Sequence, residues 1–251
     1  MTLTVLVTGA TAGFGQAIAR RFVRDGHRVI ATGRRAERLA ALQAELGAAL
    51  LPFPLDITDA PPVAALPGSL PAGWQGVDVL VNNAGLALGV SPAQTSSLED
   101  WETMVATNVT GLMRMTRALL PQMVERDRGH IVNVSSTAAR FPYPGGNVYG
   151  ASKAFVTHFS SNLKADLVGT GVRVTDLEPG LVGGSEFSTV RFGGDAAKAA
   201  AVYAGTTPLS PEDIAEAVAW VVNLPAHVNI NRLEMMPTCQ GPGPMVIKRK
   251  A

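Results

Sequence analysis

The chain has little of what marks a secreted, metal-bound or nucleic-acid-binding protein. It holds one cysteine, Cys239, so no intrachain disulfide can form, and a reducing compartment, the cytoplasm, is expected. Four histidines (His27, His130, His158 and His227) are scattered and never paired at ligand spacing, so no metal site is expected. Neither sign of charge dominates. The 21 basic and 20 acidic residues leave a formal net charge of +1, which offers no footprint for nucleic acid or an anionic membrane. The closing cluster from Lys248 to Lys250 reads as a solvated tail. No basic start leads into a long apolar run, so no signal peptide is expected. The uncharged stretch from Val79 to Leu98 is interrupted by Asn, Gln, Ser, Thr and Pro, which is too polar for a membrane span. Internal repeats and long flexible linkers are also missing, so a single domain is expected over residues 1–251.

What is present is apolar sequence in a β-then-α rhythm. At 47% hydrophobic and 16% charged, the chain can bury a substantial core. The runs 3–7, 28–32, 77–82, 129–135 and 172–179 read as strands, and 50–55 as one interrupted by prolines. They are nearly continuous in apolar residues, as strands covered on both faces of a parallel sheet should be. Helical patterns over 14–24, 35–46, 98–126, 149–168 and 211–223 lie between and after them, with a short helix inside 60–72. This alternation predicts an α/β fold with a doubly wound parallel sheet of the Rossmann type, helices on both faces. Residues 180–210 are less regular and are expected to form a mobile segment.

The first strand runs into "TGATAGFG" at 8–15. Gly9, Gly13 and Gly15 permit positive φ and close backbone approach, and the helix that follows turns free N–H groups and its dipole towards an anion. Strand, turn and helix in that order predict a dinucleotide phosphate site, although a glycine-rich turn can also exist without a ligand. At the end of the second strand an NAD enzyme usually carries a carboxylate for the ribose hydroxyl. Here Arg34 and Arg35 stand instead. Two guanidiniums suit a 2′-phosphate, so NADP is favoured. They also read as surface arginines at a helix start, but cations are disfavoured at that end.

In "NVYGASKAF", 147–155, Tyr149 and Lys153 are four residues apart, which puts both on one helix face. Taken alone the pair is equally an amphipathic Tyr and a snorkelling Lys. Alongside it occur "LDIT" (55–58), "NNAG" (82–85), "TNVTG" (107–111), "NVSS" (133–136) and "EPGLVGG" (178–184). With the glycine turn, these motifs in this order resemble the short-chain dehydrogenase/reductase family over essentially the whole chain. The resemblance implies a catalytic set of Asn108, Ser136, Tyr149 and Lys153. Tyr149 would be the acid/base, its pKa lowered by Lys153. Ser136 would bond the substrate oxygen, and Asn108 would hold a relay water.

The resemblance also implies cofactor contacts from Gly9, Thr11, Gly13, Phe14 and Gly15, and from Asp56 and Ile57 at the adenine. Asn83 would lie along the cofactor, with Tyr149, Lys153, Pro179, Gly180, Val182 and Ser185 near the nicotinamide. It implies a homotetramer built on helices 98–126 and 149–168. Longer shared pieces, among them "VIATGRR" (29–35), "EDWETM" (99–104) and "LPAHVNIN" (224–231), resemble the family's NADP-dependent 3-hydroxy acid dehydrogenases. Those act on small molecules such as serine, 3-hydroxyisobutyrate and malonic semialdehyde.

A carboxylated substrate needs a cation. Arg191, beyond the expected cofactor loop, is one candidate and equally reads as a surface arginine. Arg140, four residues after Ser136, is the competitor. Arg140 departs from the subgroup pattern, as does the stretch 239–250, and either would suit a bulkier carbonyl. Two other readings stay open: a broader carbonyl or 3-oxoacyl reductase, and a non-enzymatic NADP sensor.

Overall fold

The computed structural model describes residues 2–243, so the basic tail from Lys248 to Lys250 lies outside the described residues. In chain order the elements are β1 (Thr4–Val7), α1 (Gly13–Arg24), β2 (Arg28–Gly33), α2 (Ala36–Leu46), β3 (Leu50–Pro54), α3 (Ala60–Ser69) and β4 (Val79–Asn82). There follow α4 (Leu98–Val105), α5 (Leu112–Glu125), β5 (Gly129–Val134), α6 (Asn147–Asp166), β6 (Val172–Pro179), α7 (Phe187–Arg191), α8 (Ala196–Tyr203), α9 (Pro211–Asn223) and β7 (Arg232–Met235). Seven parallel strands form one sheet in the order β3-β2-β1-β4-β5-β6-β7. The chain winds outwards from β1 to β3, returns beside β1 as β4, and winds the other way. That reversal opens a crevice at the carboxyl ends of β1 and β4, where doubly wound folds bind ligands.

Alternation along each strand divides the core. Val5 and Val7 face Ile18 and Phe22 of α1 and Ile214, Val218 and Val222 of α9. Leu6, between them, points the other way, towards Val63, Leu66, Met115, Leu119 and Leu163 of α3, α5 and α6. Each such fully buried aliphatic contributes about 1.5–3 kcal/mol of transfer free energy.

Three differences from the sequence reading have physical reasons. β7 carries Arg232 and Glu234 in four residues, so no apolar run announced it; it is an edge strand, where charge blocks further pairing. β3 tolerates Pro52 and Pro54 because it is the opposite edge. The helix expected over 98–126 is broken by a π-helical turn at Ala106–Gly111, a device frequent at functional sites. The segment 180–210 contains two short helices, α7 and α8.

Candidate active site

The crevice is a cleft of about 360 Å³. It brings together Gly9, Thr11, Gly13, Phe14, Arg34, Arg35, Asp56, Ile57, Asn83, Tyr149, Lys153 and Ser185 among the residues expected from sequence. Gly9 and Gly13 take φ of +68° and +51°, which only glycine adopts freely. Gly15 does not line the cleft. A Cβ there would lie 2.4 Å from the Gly9 carbonyl and 2.6 Å from Asn83 Nδ2, so its role is to let the turn close.

The start of α1 is left open. α4 and α9 are capped by Ser97 and Ser210, α9 with a reciprocal Ser210–Asp213 box. α1 has no capping side chain and no carboxylate in its first turn. Its N–H groups and dipole are therefore left for an anion. Arg34 is exposed at the cleft rim, and its guanidinium has no hydrogen-bond or ion-pair partner among the described residues. Arg35 is engaged: it donates to Thr11 Oγ1 at 2.9 Å and to Glu186 Oε2 at 2.8 Å, while Arg38 holds Glu186 Oε1 at 2.8 Å. Glu186 thus ties the segment before α7 to the arginines at the end of β2. Nothing in the sequence motif singled it out.

Asn83 serves the turn. Its Nδ2 donates to Thr8 O at 2.8 Å and its own N–H to Thr8 Oγ1 at 3.0 Å, joining the ends of β4 and β1. Asn83 also lines the cleft, where the expected cofactor contact would fall. Pro179, Gly180 and Val182 do not line the cleft. Gly180 N–H is drawn back to Met235 O of β7 at 2.8 Å, and Val182 bridges to Leu209. Of that stretch, Ser185 reaches the cleft, joined by Glu186, Phe187 and Val190.

On the other wall, Tyr149 and Lys153 stand one turn apart on α6, both buried. Ser136, at the end of β5, accepts from Ala138 N–H at 3.1 Å and is hydrogen-bonded to the Tyr149 phenol. Burial pushes that phenol up to about 12, against the Ser136 bond and the nearby Arg191 guanidinium. Lys153 and the positive ring of a bound nicotinamide are expected to lower it. The ammonium is itself brought down to about 8 by burial, donates to Val134 O at 2.8 Å, and stands 5.9 Å from the ring centroid.

Asn108 sits on the π-helical turn, and its side chain is fully occupied. Nδ2 donates to Leu86 O at 2.9 Å and Ser152 Oγ at 3.0 Å, while Oδ1 accepts from Leu86 N–H at 2.9 Å. It braces the loop after β4 against α6.

The two candidate arginines separate cleanly. Arg140 is paired with Glu234 Oε2 at 2.9 Å and turned to Phe141; neither Arg140 nor Arg191 lines the cleft itself. Arg191 lies with its guanidinium 5.7 Å from the Tyr149 ring centroid and 5.2 Å from that of Tyr143, and donates to the Tyr143 hydroxyl at 2.8 Å. Phe187 packs on Tyr149 from the same segment, ring centroids 5.7 Å apart.

A parallel doubly wound sheet, an uncapped glycine turn at its switch point, and buried Tyr149 and Lys153 facing it with Ser136 beside them define a class of protein. The chain belongs to the short chain dehydrogenase family, whose pattern matches residues 3–191. It is similar to the NADP-dependent 3-hydroxy acid dehydrogenase YdfG of Salmonella typhi, 65% identical over 238 residues, 95% of this chain and 96% of that protein. It is 52% identical over 240 residues to the serine 3-dehydrogenase of Rhizobium radiobacter, 96% of either chain. Among solved structures, the closed form of a serine dehydrogenase complexed with NADP+ superposes with a TM-score of 0.95 at 60% identity, over 99% of this chain and 100% of that one. Serine dehydrogenase from Escherichia coli superposes with a TM-score of 0.85 at 57% identity, over 95% of this chain and 100% of that one.

Proposed function

We propose that this chain is an NADP(H)-dependent oxidoreductase of short 3-hydroxy acids. It would oxidise the C3 hydroxyl of serine or 3-hydroxyisobutyrate and, in reverse, reduce malonic semialdehyde. The observation that carries the substrate class is Arg191. A guanidinium 5.7 Å from the ring centroid of the proposed acid/base tyrosine supports a carboxylate site beside the reacting carbonyl. The pairing of Arg140 with Glu234 supports Arg191 over Arg140 as the carboxylate ligand.

The residues present fit the cofactor. The uncapped start of α1, with Gly9, Thr11, Gly13 and Phe14, would hold the pyrophosphate. Arg34 and Arg35 would take the 2′-phosphate, Asp56 and Ile57 the adenine, and Lys153 and Ser185 the nicotinamide end. The bound cofactor supplies or accepts the hydride. Tyr149 Oη gives its proton to the carbonyl oxygen in reduction and takes it back in oxidation, work that typically contributes about 10²–10⁴-fold. Ser136 Oγ donates to the same oxygen and stabilises the charge that develops there. Burial keeps the phenol above its ordinary range, so it holds at neutral pH the proton that reduction needs. The segment 180–210 covers the site through Phe187 and Arg191.

For assembly we infer a homotetramer in the cytoplasm. Exposed Leu98, Val105 and Met113 on α4, the π-helical turn's approach and α5 support the helical interface, and analytical ultracentrifugation would check it. Among the described residues no helix is long and apolar enough to cross a membrane.

The test of function is initial-rate NADPH oxidation with malonic semialdehyde, beside an NADH control. Fast turnover with NADPH and slow turnover with NADH is the expected result. Protein that binds NADPH yet turns over only bulky uncharged carbonyls would return the assignment to a broader carbonyl reductase.

A further inference from the structure

Arg191, the last residue of α7, is held from three sides. Its Nε donates to Gly89 O at 3.3 Å, and its own carbonyl accepts from Gly89 N–H at 2.9 Å. Its Nη2 donates to Tyr143 Oη at 2.8 Å and to Gly145 O at 3.5 Å. The guanidinium lies 5.2 Å from the Tyr143 ring centroid and 5.7 Å from that of Tyr149. The end of α7 is thus joined to the loop between β4 and α4 and to the loop between β5 and α6. Glycines let these loops meet. A Cβ on Gly145 would collide with the Val90 carbonyl, and one on Gly146 would lie 2.9 Å from Tyr143 Cε1. Gly146 N–H also donates to Tyr143 O at 2.9 Å, which seats the ring with its hydroxyl turned to Arg191.

An arginine carries five N–H donors, one on Nε and two on each terminal nitrogen. Here Nε and Nη2 are committed to neutral oxygens of the chain. The donors on Nη1 meet no acceptor among the described residues. The same holds for the proton of the Tyr143 hydroxyl, which accepts from Arg191 and gives to no oxygen of the described chain. Arg35, Arg38 and Arg140 each have a carboxylate partner, whereas no described carboxylate pairs with Arg191. Two free donors therefore remain on groups already hydrogen-bonded to one another, and one of those groups stands beside the Tyr149 ring.

We infer that Tyr143 is a specificity-determining residue of the site: its hydroxyl holds the Arg191 guanidinium in place and gives its own proton to the carboxylate that Arg191 receives. The inference rests on the function proposed above, in which Arg191 meets a substrate carboxylate. A carboxylate accepts at both of its oxygens, so one takes an Nη1 proton and the other the Tyr143 proton. Both bonds are charge-assisted and shorter and stronger than neutral ones. An uncharged carbonyl compound offers neither donor an anionic partner. A tyrosine kept only for packing would need its ring and not its hydroxyl, and phenylalanine would then serve equally well.

Tyr143→Phe keeps the ring and removes the hydroxyl. In the full chain it is expected to raise KM for malonic semialdehyde about 10-fold with kcat little altered, so that the preference for this substrate over propanal falls by the same factor. A second measurement needs no turnover and no variant protein beyond its assignment. The chain has three tyrosines, so protein labelled with carbon-13 at tyrosine Cζ gives a sparse spectrum, with Tyr143 identified by its loss in Tyr143→Phe. In the parent saturated with NADPH, propanoate, an unreactive carboxylate of substrate length, is expected to shift the Tyr143 signal, and 1-propanol is not. An unchanged KM in Tyr143→Phe, equal losses on both aldehydes, or a Tyr143 signal unmoved by propanoate would each overturn the inference. Should the parent show no preference for malonic semialdehyde over propanal, the proposed substrate class fails, and the propanoate titration decides the carboxylate site by itself.

Discussion

The two faces of the sheet are built on different rules. Towards α1 and α9 the central strands present Val5, Val7, Val81, Val132, Val134 and Leu177, closed by Ile18, Phe22, Ile214 and Val218. Towards α6 the same strands, near their carboxyl ends, present Asn82, Asn133, Asp176 and Glu178, met by Thr157 and Ser160. Apart from His130, bonded to Thr175, and Arg173, bonded to the end of α9, the first face needs only shape and volume, which many aliphatic sets supply. The second holds polar groups that are satisfied by specific partners or left unsatisfied, and each of those arrangements can be disturbed one atom at a time. The apolar face fixes where the sheet ends. The polar face fixes which groups meet there.

Breaking the catalytic side should have the largest effect. Tyr149→Phe removes the proton carrier and is expected to lower kcat by about 10²–10⁴-fold while NADPH binding survives; fluorescence titration beside initial rates checks both halves. On the apolar face, Ile18→Ala empties a fully buried site and should cost about 2–5 kcal/mol in denaturant unfolding, with the pH profile of the remaining activity unmoved. Asp176→Asn on the polar face should alter the pH dependence of stability more than its size. Its sign follows from the raised carboxyl. The folded state binds a proton that the unfolded chain has released, so Asp176 contributes stability at acid pH that is lost as pH rises from about 4 through neutrality. Urea unfolding across that range should show the decline in the parent and a flatter curve in the variant. The smallest effect belongs to Glu186, a half-exposed carboxylate on Arg35 and Arg38. Glu186→Gln frees Arg35 for a phosphate and should tighten NADPH binding by a few-fold, read by titration at low salt where such surface pairs are least screened.

The same contrast explains what was legible in the sequence. Strands such as "VLV" at 5–7 and "VLVN" at 79–82 announce themselves because burial on both faces leaves a continuous apolar run. The glycine turn, Arg34 and the Tyr149–Lys153 pair were legible because spacing along one turn or one helix carries the chemistry, whereas Ser136 was legible only through the family resemblance. Edge strand β7 was not, since half of its four residues are charged. The bracing roles of Asn83 and Asn108 were hidden too. An amide in a motif looks the same whether it meets a ligand or a neighbouring carbonyl, and only the partners at 2.8–2.9 Å distinguish them. Arg140 and Arg191 differ by a salt bridge to Glu234 that joins residues 94 apart in the chain. No local pattern contains that information. Asp176 and Glu178 did carry a signal, two carboxyls inside an otherwise buried strand, and such a break in the local rule marks the polar face.

Arg191 is the proposed carboxylate ligand, and the preference for carboxylated substrates proposed above depends on it. The measurement that tests it most directly is kcat/KM for malonic semialdehyde against propanal, which lacks the carboxylate, in the parent and in Arg191→Met. The expected result is a strong parental preference for the acid that falls by about 10–100-fold in the variant, mostly through KM, with propanal little changed. Equal losses on both aldehydes, or no loss on either, would contradict it.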